Sequence, residues 1–317
     1  MKKVVYVTGC LGFIGYHVTK ACLEKGWYVF GIDKCTYAAN WDLLQNLREY
    51  GDQFKFEVAD INDITRLYDC DYIINTAAET HVDNSIESSD VFLKSNVNGV
   101  HRLLELIKSK PKSRRPVLLH FSTDEVYGDI ELGSHTEEDL LLPSNPYSAT
   151  KAAADMLILA WARTYAIPYL IVRPTNNYGI GQYVEKFIPK AIKNLTLGKK
   201  IIMHDKGLPK RTWLHVSDTA SAVITIIDKS VVNEIFNISG NEEKQNIDVA
   251  QSILGKYYNN TVYTFQENFD FSEVRPGQDV RYSIDDKKLK ELGWEPKANF
   301  QEELKTIVQW YKERFIW

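Results

Sequence analysis

Apolar positions in the first half of the chain follow two rhythms. Short β-branched or aromatic runs at residues 4–7, 28–32, 54–58, 72–74, 117–121 and 169–172 read as strands. Between them, segments 14–25, 41–50 and 92–108 place apolar residues three and four apart and predict helices, and a further helix starts near Pro146. Strands alternating with helices predict βαβ units, right-handed crossovers and a mainly parallel sheet. After Arg173-Pro174 the pattern changes: loops lengthen, tyrosine and asparagine cluster, and strand signals thin out to 201–203 and 234–238. The expected fold is therefore α/β, a Rossmann-type doubly wound parallel sheet over residues 1–173 with a smaller, interleaved C-terminal substrate domain over 174–317. The interleaving is expected because the segment near 213–240 reads as a return to the first sheet.

Composition narrows the function. The chain has 317 residues, 44% hydrophobic and 25% charged, with a net charge of −4, so a folded core is expected and disorder is not. No basic stripe offers a footprint for nucleic acid or anionic lipid. Cys10, Cys22, Cys35 and Cys70 form no C-x-x-C pair, which suits reduced thiols in a cytoplasmic protein. The apolar run after Met1-Lys2-Lys3 is too short for a signal peptide, and nothing approaches a membrane span. The seven histidines show no H-x-x-x-H spacing, so metal-dependent hydrolysis is not expected.

Three local features carry chemistry. Gly9-Cys10-Leu11-Gly12-Phe13-Ile14-Gly15 follows the first strand and opens the first helix. Glycines there permit a tight turn and let backbone approach a pyrophosphate, which the helix N-terminus attracts. The spacing is G-x-x-G-x-x-G. Asp33 ends the second strand about 20 residues on, where an acid binds a ribose 2′-hydroxyl and repels a 2′-phosphate, so NAD is expected over NADP. Asp60-Ile61, after the third strand, is a candidate adenine contact.

The second feature is Thr123-Asp124-Glu125-Val126-Tyr127-Gly128, which leaves a buried strand at its carboxyl end. Ligands of open α/β sheets bind there, and two adjacent carboxylates in different environments suit acid and base work. The third is Tyr147 and Lys151, four apart on one face of the helix begun by Pro146, with Ser144 or Asn145 as cap. A neighbouring ammonium and an oxidised nicotinamide are both expected to lower the tyrosine pKa and make it a base.

Together, in this order, these elements resemble the nucleotide-sugar 4,6-dehydratase branch of the extended short-chain dehydrogenase/reductase family. Further similar stretches run from Thr36-Tyr37-Ala38-Ala39-Asn40 through Ala77-Ala78-Glu79-Thr80-His81-Val82-Asp83 and Asn176-Asn177-Tyr178-Gly179 to Leu292-Gly293-Trp294-Glu295-Pro296. The resemblance implies tightly bound NAD, held also by Lys34, Thr36, Ala77, Ala78 and Asn96. It implies dehydration of a nucleoside-diphosphate glucose, dTDP-glucose before UDP-glucose, in a homodimer. Catalysis would fall to Thr123, Asp124, Glu125, Tyr147 and Lys151. It nominates Lys186, Arg211 and Arg275 for the substrate phosphates and Asn176, Asn177, Glu185 and Asn246 as further contacts. Glu79, His81 and Tyr178 would line the sugar end. Cys10 and Tyr16 depart from the usual Gly and Ser of the first turn, and Val274, Gln278 and the stretch Leu208-Pro209-Lys210 depart at the nucleotide end. The competing readings are a 4-epimerase or UDP-glucuronate decarboxylase of the same fold and, more remotely, a non-catalytic NAD-binding protein.

Overall fold

The computed structural model describes residues 2–259, 267–272 and 279–314. Six strands arise in the first part of the chain: β1 Val4–Thr8, β2 Tyr28–Asp33, β3 Phe54–Val58, β4 Tyr72–Asn75, β5 Val117–Phe121 and β6 Tyr169–Pro174. The helices among them are α1 Phe13–Glu24, α2 Asp42–Arg48, α3 Val82–Glu87, α4 Asp90–Phe92, α5 Gly99–Ser109 and α6 Pro146–Tyr165. Beyond them follow β7 Asn176–Tyr178, α7 Phe187–Thr196, β8 Ile201–Ile202, β9 Lys210–His215, α8 Val216–Asp228, β10 Glu234–Ile238 and β11 Glu242–Gln245. The chain ends with α9 Asn246–Tyr257, β12 Phe269–Asp270, α10 Lys287–Glu291 and α11 Phe300–Glu313.

The main sheet has seven parallel strands in the order β10-β6-β5-β4-β1-β2-β3. Its central strands are apolar at nearly every position because helices cover both faces: Val5, Val7, Ile73, Ile74, Leu118, Leu119 and Leu170 are fully buried. The order reverses between β1 and β4, and a crevice opens there beyond the strand ends. This is the expected doubly wound fold. After β6 the chain makes a three-stranded sheet, β11-β9-β7, then α8 packs against α1 and β10 pairs with β6. A separate apolar cluster holds α7, α9 and α11 around Ile188, Ile192, Ile253, Leu304 and Val308.

The continuous helix expected over 92–108 is not what forms. The α4 turn runs into a π-helical segment, Leu93–Asn98, before α5. The widened turn coincides with buried Asn96, whose side chain accepts from Glu79 N at 2.9 Å and donates to Thr150 Oγ1 at 2.9 Å. Such bulges recur at functional sites. The strand expected at 201–203 is shorter and pairs with β12.

Candidate active site

The glycine turn joins β1 to α1. Gly9 takes φ +74°, and a Cβ there would lie 2.7 Å from Ala77 N. A Cβ on Gly15 would lie 2.0 Å from Gly9 O, so close packing requires this glycine too. Gly12 differs: its φ is ordinary, and the nearest atom to an added Cβ is Gly9 O at 3.3 Å. Its missing side chain is thus left over for a ligand's close approach. Asp33 accepts from Leu11 N at 2.9 Å and Cys35 N at 2.7 Å, tying the end of β2 to this turn. Burial pushes its carboxyl up, and the N–H groups of Cys35, Leu11 and Gly12 oppose that. Gly9, Gly12, Asp33, Lys34, Thr36, Asp60, Ile61, Ala77, Ala78 and Glu79 all border one cavity. Lys34 Nζ lies 3.1 Å from Asp60 Oδ2 at its rim. A cradle of backbone and small residues with an acid at the second strand's end fits a dinucleotide.

A second cavity continues past Gly12, Phe13, Ile14 and Gly15 to Thr123, Asp124, Glu125 and Tyr147. β5 ends at Phe121, and Thr123 then caps a short 3₁₀ turn by accepting from Glu125 N at 3.3 Å. The turn drives Asp124 inward to 3% exposure, where Oδ2 has no hydrogen-bond partner among the described residues. Burial, helped by Glu125, pushes the Asp124 carboxyl up to about 7, against the pull of Arg211 and Thr123. Glu125 is also raised by burial. Arg211, the Asn145 amide and Lys186 restrain it. The two acids therefore differ in environment, with Asp124 unpartnered at Oδ2 and Glu125 hydrogen-bonded by Asn145.

Asn145 caps α6: its side chain accepts from Ser148 N, and Pro146 follows it. Of the two candidate caps, Ser144 and Asn145, the helix therefore uses the second. The helix buries Tyr147 and Lys151 on one face. Burial and the acid pair, Glu125 foremost, push the Tyr147 phenol up, while a hydrogen bond with Thr123 opposes them. That direction is opposite to the lowering expected from sequence. The expected lowering needs an oxidised nicotinamide as well as the ammonium, and burial with the acid pair outweighs Lys151, whose Nζ is 3.3 Å from His120 Nε2 beneath the cleft.

The same cavity takes in Asn176, Asn177, Glu185 and Lys186 with Gln182 and Tyr183, which the sequence pattern does not single out. Lys186 Nζ donates to Thr80 O at 2.7 Å, and Tyr37 OH donates to Glu185 Oε2 at 2.9 Å. The side chain of Asn177 is occupied by Thr175 O and Thr219 Oγ1. Other nominated residues sit elsewhere. Tyr178 is 2% exposed among Trp213, His215 and Phe300, a core residue and not a sugar contact. His81 caps α3 by accepting from Asn84 N and does not border the cavity. Glu79 borders the dinucleotide cavity instead of the sugar end. Asn96 acts through the Glu79 backbone and borders neither cavity. Arg211 donates to Asp279 O at 2.9 Å and stacks 4.2 Å over the Tyr282 ring, behind the acid pair. Asn246 begins α9 beside Pro209 and is outside the cavity. Arg275, Val274 and Gln278 lie outside the described residues.

The family model for GDP-mannose 4,6-dehydratase matches residues 6–307. The chain belongs to the GDP-mannose 4,6-dehydratase family. Within and around this family, a dTDP-glucose 4,6-dehydratase from Haemophilus influenzae is 38% identical, with 97% of each chain covered. The trifunctional UDP-glucose 4,6-dehydratase/epimerase/reductase of Arabidopsis thaliana is 39% identical over 99% of this chain but only 48% of its own length. Among solved structures, a dTDP-glucose 4,6-dehydratase from Streptomyces venezuelae with NAD bound superposes with a TM-score of 0.91 at 34% identity, covering 98% of this chain and 97% of that one. The fold alone does not separate activities, since a UDP-glucuronic acid 4-epimerase from Bacillus cereus reaches 0.89 at 25% identity.

Proposed function

We propose that the protein is an NAD-dependent nucleotide-sugar 4,6-dehydratase, with dTDP-glucose the favoured substrate and UDP-glucose the next. The observation that carries this reading is the Asp124–Glu125 pair. One acid is buried, unpartnered at Oδ2 and protonated near neutrality, and the other is hydrogen-bonded by Asn145, all in the cavity that holds Tyr147. An epimerase never expels a hydroxyl and has no use for such an acid. The intact Tyr147 and Lys151 count against a non-catalytic NAD-binding protein.

Gly12, the α1 N-terminus, Asp33 and Asp60-Ile61 would hold the dinucleotide, whose nicotinamide supplies a hydride acceptor and donor. Tyr147, which the Lys151 ammonium and an oxidised nicotinamide would bring toward phenolate against its burial, removes the proton of the sugar O4 while Thr123 hydrogen-bonds the same oxygen. Once C4 is a ketone, the C5 proton is acidic and Glu125 takes it. Asp124 gives its proton to the C6 hydroxyl as that leaves as water. With the hydride held on the nicotinamide restored to C6, Glu125 would give a proton back to C5, so that C4 remains the ketone of a 4-keto-6-deoxy sugar, and the proton gained by Tyr147 balances the one lost by Asp124. Lys186 and Arg275 are the cations proposed for the phosphates, while Arg211, behind the acid pair, keeps both acids lower than burial alone would leave them.

A homodimer is supported by an exposed apolar stripe on α6: Ala149, Ala153, Met156 and Ala160, spaced to share one helix face. Val91 and Leu93, also exposed, extend the apolar surface near α5. A cytoplasmic location is supported by four free cysteines, two of them buried. No described helix is long and apolar enough to cross a membrane. Incubating protein and NAD with dTDP-glucose and, separately, UDP-glucose tests the reading by product mass. Loss of one water supports it and identifies the carrier; an unchanged mass with inversion at C4 makes the protein an epimerase.

A further inference from the structure

Beneath the cleft a line of buried polar side chains crosses the sheet, and the chemistry above does not account for it. Thr8 on β1 lies 2.6 Å from Asn75 on β4, Asn75 lies 3.0 Å from His120 Nδ1 on β5, and His120 Nε2 lies 3.3 Å from Lys151 Nζ on α6. None of the four is more than 3% exposed. Buried polar groups are costly unless each finds a partner. Asp155, one turn beyond Lys151, engages Arg173 at 3.0 Å and Ser122 Oγ at 3.0 Å through Oδ2, while its Oδ1 makes no hydrogen bond among the described residues and acts on Lys151 through charge alone. Among the described residues, the hydrogen-bond contact of Lys151 Nζ is to His120.

The hydrogen count along this line depends on the charge of the lysine. Burial, opposed only by Asp155, lowers Lys151 to about 8, and burial beside Lys151 keeps His120 neutral. A neutral imidazole carries one hydrogen. In the arrangement found, Thr8 donates to Asn75 Oδ1 and Asn75 Nδ2 donates to His120 Nδ1. Nε2 then carries the ring hydrogen and meets Lys151 as a neutral amine. An ammonium has only hydrogens to offer and would need the other tautomer. Asn75, after a half turn of its amide, would then accept from Nδ1–H and donate to Thr8. Either arrangement keeps one hydrogen bond at each link of the line.

We propose that His120, set by Asn75 and Thr8, is a positioning residue that holds Lys151 in both charge states and so governs when its ammonium is available to Tyr147. The proposal rests on the dehydratase reading for its purpose but not for its chemistry. The charged or titratable groups that act on Lys151 are Asp155 on its own helix and His120 from β5, with Arg173 from β6 reaching it through Asp155 and Tyr147 one turn away on the same helix. Two substitutions act in opposite directions. Asn75→Asp supplies a fixed acceptor for Nδ1–H, keeps the Nε2 lone pair toward Lys151, and favours the ammonium. His120→Leu removes the partner and favours the amine, whereas His120→Gln can present an oxygen in its place.

The test is the titration of Lys151 itself, followed by NMR of protein carrying ¹³C-labelled lysine with NAD bound, assigned with Lys151→Met. The midpoint is expected to rise by about one pH unit in Asn75→Asp and fall by about as much in His120→Leu, with His120→Gln recovering part of the fall. The basic limb of the pH–rate profile should move with it. Unmoved midpoints in folded Asn75→Asp and His120→Gln would overturn the proposal. Shifted midpoints in a protein that dehydrates no sugar nucleotide would uphold the relay and remove only the dehydratase reading.

Discussion

Asn145 and Glu125 are joined across the mouth of the cleft: Asn145 Nδ2 donates to Glu125 Oε2 at 3.4 Å while Asn145 Oδ1 accepts from Ser148 N at 2.9 Å. One side chain thus caps the helix that carries Tyr147 and Lys151 and restrains the proposed base. Asn145→Ala should lower stability by about 1 kcal/mol through the lost cap. It should also raise the Glu125 pKa further and move the acid limb of the rate profile to higher pH. Urea unfolding and a pH–rate series measure the two effects separately. A stability loss with no movement of the limb would show that the contact does not tune Glu125.

The three groups proposed as catalytic should separate by which half-reaction they stop. Tyr147→Phe is expected to suppress hydride transfer, so that no reduced nicotinamide forms in a single turnover. Glu125→Gln and Asp124→Asn should still form it slowly and then stall, each losing on the order of 10²–10⁴-fold in water loss. Stopped-flow absorbance of the reduced cofactor checks both statements. Wild-type dehydration by both carboxylate variants would dismiss the assignment.

Asp124 also links activity to stability. Its folded-state carboxyl is raised to about 7 from an ordinary 3.8, so between those values the folded protein binds more protons than the unfolded chain. The contribution is fully present at acid pH and is lost as pH rises through the window from about 4 to 7. Asp124→Asn has no proton to lose. Its stability relative to wild type should therefore improve from pH 5 to pH 8, which denaturant melts at several pH values would measure. A constant difference across that range would mean that Asp124 is not perturbed.

Arg173 and Asp155 form a buried ion pair at 3.0 Å, and Arg173 Nη1 also donates to Tyr127 OH at 2.7 Å, which in turn donates to Asn237 Oδ1 at 2.8 Å. Removing one partner leaves an uncompensated buried charge, so Arg173→Met should destabilise by about 3–5 kcal/mol. The double variant with Asp155→Leu should recover much of that loss. Equal losses in single and double variants would show that the two charges are not coupled.

Much of this site is legible in the sequence because its chemistry is local. Gly9, Gly12 and Gly15 sit where the turn needs them, Asp33 ends β2 as expected, and the Thr123–Glu125 exit and Pro146 helix start lie within a residue of their expected places. What the sequence does not disclose depends on contacts between distant residues. Asn96 is expected to hold the cofactor, and only the fold shows its side chain engaged by Glu79 and Thr150. Tyr178 has the composition of a binding residue but is enclosed by Trp213 and Phe300 from later elements. His120 is one polar residue in an apolar strand, and its partners Asn75 and Lys151 come from other parts of the chain. The strands β7, β9 and β11 are hard to read because each is short and polar at several positions, and their sheet forms only after β9 returns antiparallel to β11.

The central claim is that Glu125 removes a proton from C5 while the hydride taken from C4 is returned to C6. Running the reaction in D₂O with unlabelled nucleoside-diphosphate glucose, and locating deuterium in the product by NMR, tests it most directly. The expected product has lost one water, carries solvent deuterium at C5 and carries none at C6. Deuterium at C6, or a dehydrated product with no deuterium at C5, would contradict the account.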